Sequence, residues 1–172
     1  MYMDPKAVEV LIEMPKGESR RIHLAYSRRF YIDLGPIKNI IPVNEGKMPI
    51  AYGFVVGTLI RDEEEESELD AIVYSKKDYK IGDRIRAYPI AALHIKNGDH
   101  KIVCVDDSTR EKSWSDIPRD ERVLILKYFG YKSPVESVGG REDALALIKK
   151  NLTNRPLPIP KEIIIRKKEK AY

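Results

Sequence analysis

Cysteine, glutamine and long hydrophobic runs are scarce or missing in this 172-residue sequence. Cys104 is the only cysteine, which excludes an intramolecular disulfide and a zinc site built from several cysteines. The longest apolar stretch, residues 50–60, is interrupted by glycines and ends at Arg61, so it is too short to cross a bilayer. The first residues carry an acid and a proline where a secretory signal has basic and then apolar residues. We therefore expect a cytoplasmic protein with no membrane segment.

The overall composition predicts one compact domain. Hydrophobic residues make up 42% of the chain and charged residues 34%, which is enough apolar material for a core. The absence of glutamine beside many lysine, arginine and glutamate residues is typical of thermophilic proteins. A net charge of +4 suits either a small phosphate-bearing substrate or weak contact with nucleic acid, and does not choose between them.

Short β-rich runs come first along the chain and helical patterns come last. The predicted strands are residues 8–13, 21–25, 30–33, 54–60, 71–74, 84–95 and 101–105, with Asn97-Gly98 as a hairpin turn before the last. The predicted helices are residues 120–129 and 141–152. This order favours a mainly β member of the α+β class, in which a strongly curved antiparallel sheet or a small closed antiparallel β-barrel, as in OB-like folds, is flanked by two C-terminal helices.

The last residues differ in composition from the rest of the chain. Three prolines between residues 156 and 160 are followed by a basic stretch, residues 161–170. We predict one domain over residues 1–153, with a proline-containing spacer and basic tail over residues 154–172. The tail is interpreted as a solvated terminus or a last strand through Ile163 to Ile165, with a nucleic-acid-binding arm as the less favoured alternative.

Residue types that carry chemistry point to oxygen ligands and phosphate. Three histidines, one cysteine and the absence of a Gly-x-Ser-x-Gly or phosphate-cradling glycine motif disfavour zinc enzymes, serine hydrolases and nucleotide-loop enzymes. Carboxylates lie instead at predicted strand ends and turns, beside basic and phenolic side chains. Carboxylates are the ligands that Mg²⁺ prefers, while lysine, arginine and tyrosine bind phosphate oxygens.

Several segments occur in an order that resembles the soluble family I inorganic pyrophosphatases. They are Val10-Leu-Ile-Glu-Met-Pro15, Met48-Pro-Ile-Ala-Tyr-Gly-Phe54 with Thr58-Leu59 after it, Leu69-Asp-Ala-Ile-Val73, Tyr88-Pro-Ile-Ala-Ala-Leu93, Asn97-Gly-Asp-His-Lys-Ile-Val103 and Tyr131-Lys132. The resemblance covers residues 8–152. It implies a pyrophosphatase-type barrel, hydrolysis of pyrophosphate to two phosphates by a metal-activated water, Mg²⁺ with Mn²⁺ as an alternative, and a homo-oligomer that is often a hexamer.

The resemblance also assigns roles to individual residues. The metal ligands it implies are Glu13, Asp62, Asp70 and Asp99. The catalytic residues it implies are Glu64, which would orient the attacking water, and Asp70. The substrate-binding residues it implies are Arg21, Tyr52, Lys101, Tyr131 and Lys132.

The sequence departs from the family pattern inside the predicted site. Asp62 precedes Asp70 by eight residues rather than five, Met48 replaces a tyrosine, and Asn97 stands where a metal-binding aspartate is expected. These departures keep two alternatives open. One is a non-catalytic or repurposed member that binds nucleic acid, the ribosome or a protein partner. The other is a phosphohydrolase that prefers a nucleotide or another phosphoanhydride.

Overall fold

Eleven strands, two α-helices and three short 3₁₀ helices make up the regular structure of the computed structural model, which describes residues 7–61 and 66–168. The strands are Val8–Met14 (β1), Arg20–Leu24 (β2), Tyr31–Pro36 (β3), Ala51–Val55 (β4), Ile60–Arg61 (β5), Glu66–Ser67 (β6), Asp70–Tyr74 (β7), Arg84–Ile95 (β8), Lys101–Val105 (β9), Val135–Gly139 (β10) and Ile165–Lys167 (β11). The helices are Arg119–Phe129 (α1) and Arg141–Lys150 (α2). Both lie within two residues of the predicted helices.

Five of the strands close into a barrel, as predicted. Their order is β1-β4-β7-β9-β8, β8 pairs back onto β1, and β10 adds to β8 outside the ring. All of these pairs are antiparallel except β7 with β9, which is parallel. In the sheet, β9 lies between β7 and β8. Along the chain, β8 runs opposite to β7, and the hairpin turns β9 back again, so that β9 has the same direction as β7.

Alternate residues of the barrel strands pack into two separate apolar clusters. Leu11 and Ile72 belong to one cluster, together with Ile125 and Tyr128 of α1. Their strand neighbours belong to the other cluster, which α2 completes through residues such as Ile148. Each barrel strand is therefore covered on both faces, and this is why its residues are almost continuously apolar rather than alternating with polar ones.

The fourth strand differs from its prediction. Residues 54–60 were expected to be extended, but β4 ends at Val55. Gly57 adopts a φ of +85°, and the buried Thr58 hydroxyl donates to the Val55 carbonyl at 2.7 Å and accepts from the Leu69 amide at 2.9 Å. These bonds turn the chain away from the sheet, which the β-rich composition does not reveal.

The last described strand belongs to a separate three-stranded sheet of order β11-β3-β2. β11 pairs in parallel with β3, two residues later than the strand predicted at Ile163 to Ile165. The predicted division of the chain at residues 153 and 154 stays a prediction. Among the described residues, no helix has the length and apolarity that spanning a membrane requires.

Candidate active site

A buried lysine joins two carboxylates where β7 and β9 begin side by side. Asp70 and Lys101 are register partners in this parallel pair. The Lys101 Nζ donates to Asp70 Oδ2 at 2.7 Å and lies 2.9 Å from Asp99 Oδ2, in the turn before β9. Only 7% of the Lys101 side chain is exposed, so its charge is balanced by these two groups rather than by water.

Burial is the main influence on the pKa values of this cluster. It raises the pKa of Asp70 to about 7, with Lys101 opposing the rise and Asp99 adding to it. Burial also acts to raise the pKa of Asp99, but its contacts with Lys101 outweigh this and the pKa lies below its ordinary value. Burial acts to lower the pKa of Lys101, and the two carboxylates nevertheless raise it. Asp99 and Lys101 thus stay charged at neutral pH, while Asp70 can take up or release a proton.

Tyr52 of β4 stands beside this cluster at the centre of a group of rings. Its ring stacks on Phe129 at 6.0 Å between centroids, meets His23 edge-on at 6.2 Å and lies 5.8 Å from the Lys101 Nζ. Burial raises the pKa of Tyr52 well above its ordinary value, and the negative charges of Asp70 and Glu13 add to the rise. The phenol is therefore kept neutral and retains its proton, which it can donate in a hydrogen bond.

A cavity of about 160 Å³ opens on one side of Tyr52. We call it the cationic cavity, because Arg21, Lys101 and Lys132 line it together with Asp99 and Asn97. Burial lowers the pKa of Lys132, and the positive charge of Arg21 lowers it further. Although burial is the larger cause, the contribution of Arg21 reflects the closeness of the positive groups, which favours an anion between them.

A second cavity, of about 750 Å³, shares Tyr52 and His23 with the first. We call it the acidic cavity, because it is lined by four carboxylic side chains: Glu13, Glu66, Glu68 and Asp70. Glu13 is buried in β1, and its Oε2 accepts a hydrogen bond from the Leu24 amide at 2.7 Å. Glu68 is buried in an ion pair with Arg28.

The structure brings most of the predicted site residues together. Those that line one or both cavities are Glu13, Arg21, Tyr52, Asp70, Asp99, Lys101 and Lys132. Tyr131 lines neither cavity and is 52% exposed. Asp62 and Glu64 lie outside the described residues, so their predicted roles stay predictions.

Several polar residues of the two cavities are not among the predicted site residues. One of them is His23, which lines both cavities and whose Nδ1 lies 3.7 Å from Glu13 Oε2. Its position two residues after Arg21 on β2 is a signal for this, since alternate strand residues share a face. Ser133, which also lines the cationic cavity, and the Arg28–Glu68 pair have no local signal, because these residues meet only through the tertiary fold.

The donor atoms of the acidic side are of the kind a hard divalent cation prefers, but the described residues do not complete a site. Within residues 7–61 and 66–168, no three histidine, cysteine, aspartate or glutamate side chains are placed to hold a metal ion. One oxygen of Asp70 and one oxygen of Asp99 are already paired with the Lys101 ammonium group. The described carboxylates therefore supply ligands of the right chemistry for a divalent cation, but they do not complete its site by themselves.

Comparisons with known proteins agree with this geometry. Over 88% of this chain and 96% of the other, the fold is similar to a crystal structure of inorganic pyrophosphatase from Ehrlichia chaffeensis, with a TM-score of 0.75 and 23% identity. An inorganic pyrophosphatase from Neisseria gonorrhoeae is similar over 85% of this chain and 89% of the other, with a TM-score of 0.66 and 26% identity. For the inorganic pyrophosphatase from Thermus thermophilus the coverage is 87% and 91%, the TM-score 0.68 and the identity 20%. No match was found among curated protein sequences.

The sequence also matches a family model, described as inorganic pyrophosphatase, over residues 10–154. This range contains every barrel strand after the first residues of β1, both helices and all residues of the two cavities except Leu157. Since the match extends over most of the chain, the chain belongs to the inorganic pyrophosphatase family.

Proposed function

We propose that this site hydrolyses inorganic pyrophosphate to two phosphate ions, with the phosphates held in the cationic cavity and the acidic cavity on the side of the attacking water. Membership of the inorganic pyrophosphatase family supports an inorganic diphosphatase. The observation that carries the assignment of residues is the Asp70–Lys101–Asp99 cluster, which lies between two cavities of opposite charge.

The cationic cavity supplies the groups that bind the substrate. Arg21, Lys101 and Lys132 donate charge-assisted hydrogen bonds to phosphate oxygens, which are stronger than bonds between neutral groups. The neutral Tyr52 phenol adds a donor at the boundary between the cavities. Fixed donors of this kind stabilise the negative charge that develops on the phosphate oxygens during hydrolysis.

The acidic cavity supplies the group that handles a proton. The pKa of Asp70 is raised to about 7, so its carboxyl can accept a proton from water and release it again near neutral pH. Glu13, buried at the same cavity, keeps a second carboxylate nearby. The reaction of this family depends on a divalent metal ion, which activates water and neutralises phosphate charge. We propose Mg²⁺ as that ion, with Mn²⁺ as a substitute, and a homo-oligomer as the assembly.

The family match favours the diphosphatase over a non-catalytic member. The experiment is phosphate release from pyrophosphate with Mg²⁺ and then with Mn²⁺, in the wild type, in Asp70→Asn and in the control Asp78→Asn. Asp78 is an exposed acid that lines neither the cationic nor the acidic cavity. We expect Asp70→Asn to lower turnover by about 100-fold or more, because an amide cannot accept the proton, while the control keeps it. Equal turnover in both variants would contradict the role of Asp70.

A further inference from the structure

The chain after α2 packs against the rest of the domain as a docked segment. Residues 155–168, which we call the strap, end in β11 alongside β3. The Tyr31 amide donates to the Ile164 carbonyl at 2.7 Å, and the Lys168 amide donates to the Asp33 carbonyl at 3.0 Å. Ile159 packs against the main apolar cluster. The strap is therefore held against the folded domain at its C-terminal end and at Ile159.

The middle of the strap reaches the acidic cavity. Leu157 is one of the residues that line this cavity, in company with Asp70 and Glu13. It is the only described residue of the strap that does so, and it lies beyond the range that matches the family model. The strap, which lies outside the matched range, thus forms part of the wall of the cavity that also contains the Asp70 carboxyl.

A single side chain fastens the strap at this point. Arg28 donates from Nε to the Pro158 carbonyl at 2.9 Å and from Nη1 to Glu68 Oε1 at 3.2 Å, while its Nη2 pairs with Glu68 Oε2. Glu68 is only 7% exposed and precedes Asp70 by two residues. The planar guanidinium therefore connects the strap to the segment that leads into β7.

We propose that the strap is a part of the active site and that Arg28 is a positioning residue, which acts on Asp70 by fixing Glu68 and Pro158 to each other. The proposal rests on the proposed function, because it concerns the same carboxyl. Releasing the strap frees the start of β7, and small displacements of a reacting group lower the rate strongly. The proposed phosphate-binding residues line the cationic cavity on the other side of Tyr52: Arg21, Lys101 and Lys132. Releasing the strap is therefore expected to leave phosphate binding unchanged.

Three variants separate this role from a structural one. Removing residues 155–172 deletes the strap. Arg28→Met with Glu68→Met removes the fastening without leaving a buried, unpaired carboxylate, which Arg28→Met alone would do. The control is Arg84→Met, which breaks another arginine–glutamate pair, with Glu9, and lines neither cavity. The double variant keeps the test valid if the shortened chain fails to fold.

The first readout is steady-state hydrolysis of pyrophosphate with Mg²⁺. We expect kcat to fall about tenfold or more in the deletion and in the double variant, with KM changed by less than about twofold and the control unchanged. The second is deuterium uptake by peptides that span residues 66–74, which we expect to be about fivefold faster in the same two variants.

A wild-type kcat in folded variants, or unchanged deuterium uptake, overturns the proposal. If the wild type itself releases no phosphate from pyrophosphate, the proposed function fails. The uptake measurement then decides by itself whether the strap holds the start of β7, because it does not depend on turnover.

Discussion

At the residue scale, the chemistry of this protein depends on one lysine shared by two carboxylates. The single positive charge of Lys101 can fully compensate only one negative charge. Asp99 is 63% exposed, so its charged form loses little hydration and is the one that Lys101 compensates. Asp70 has a side-chain exposure of only 21%, and its charged form is disfavoured by burial. The asymmetry between two carboxylates on the same amine is what leaves Asp70 with a pKa near neutrality.

The raised pKa of Asp70 predicts a pH dependence of stability. The pKa is about 7 in the folded protein and 3.8 for an ordinary aspartate, so between these values the folded state binds more protons than the unfolded state. The contribution of Asp70 to the free energy of unfolding is therefore present below pH 3.8 and is lost as the pH rises to about 7. Asparagine at this position does not titrate, so the Asp70→Asn variant does not lose stability in this way as the pH rises.

Urea unfolding at pH 4, 5.5 and 7, in the absence of divalent ions, measures this effect. We expect the wild type to lose roughly 3 kcal/mol more than Asp70→Asn over this range, since one unit of pKa difference corresponds to about 1.4 kcal/mol and most of the difference between 3.8 and about 7 is titrated within it. All other titrating groups are common to both proteins and cancel. Parallel stability curves for the two proteins would show that Asp70 is not buried as described.

At the element scale, the barrel depends on a very close approach of β1 and β4. Gly53 faces Ile12 in this antiparallel pair. A Cβ atom on Gly53 would lie 1.7 Å from the Leu11 carbonyl oxygen and 2.7 Å from its carbon. The obstacle is backbone in a closed sheet, which cannot move aside as a flexible side chain can. Gly53 therefore allows Tyr52 to be placed next to the site, because β4 can lie close to β1.

Gly53→Ala should consequently destabilise the fold. We expect a loss of about 3 kcal/mol or more in the free energy of unfolding, measured by urea denaturation, because either the strands separate or a hydrogen-bonded pair is lost. Gly140→Ala is the matched control, since nothing lies within 4 Å of a Cβ at Gly140 and its φ of −85° suits alanine. Similar losses in both variants would refute the close approach of the strands.

At the scale of the whole molecule, the proposed phosphate-binding groups come from parts of the chain that are far apart in sequence. Arg21 comes from β2, Lys101 from β9 and Lys132 from the segment after α1. Burial is the main cause of the lowered pKa of Lys132, and the positive charge of Arg21 adds to it. Because the folded state alone brings these groups together, we expect a bound diphosphate to reduce this repulsion and to stabilise the fold as a whole.

Thermal unfolding tests this coupling. A non-hydrolysable diphosphate analogue with Mg²⁺, at about 100 times its Kd, should raise the Tm by about 5 to 10 °C, since this excess contributes about 2.7 kcal/mol to a domain of this size. Chelation of the metal by EDTA should reduce the shift. Lys101→Met should abolish most of it, whereas the exposed control Lys96→Met should keep it. An equal shift in both variants would rule out a binding role for Lys101.

Much of the fold and part of the site follow from local patterns. The helices, the Asn97-Gly98 hairpin and most strands were predicted within a few residues, because each depends on periodicity and turn chemistry over a short window. The short motifs that resemble the pyrophosphatase family also indicated Tyr52, Asp70, Asp99 and Lys101 as site residues. β10 was not predicted, since its residues Val135–Gly139 are half-buried or exposed and owe their extended form to pairing with β8.

By itself, the sequence determined that this chain forms a closed barrel with two helices and that carboxylates and basic groups meet in it, because hydrophobic periodicity and motif order are local properties. Only the tertiary structure decided that β7 and β9 run parallel, which sets Asp70 beside Lys101. It also decided that Arg28 holds Pro158, a residue 130 positions away, next to the Leu157 that lines the acidic cavity. Such contacts depend on which strands become neighbours when the barrel closes, and no short stretch of sequence contains that information.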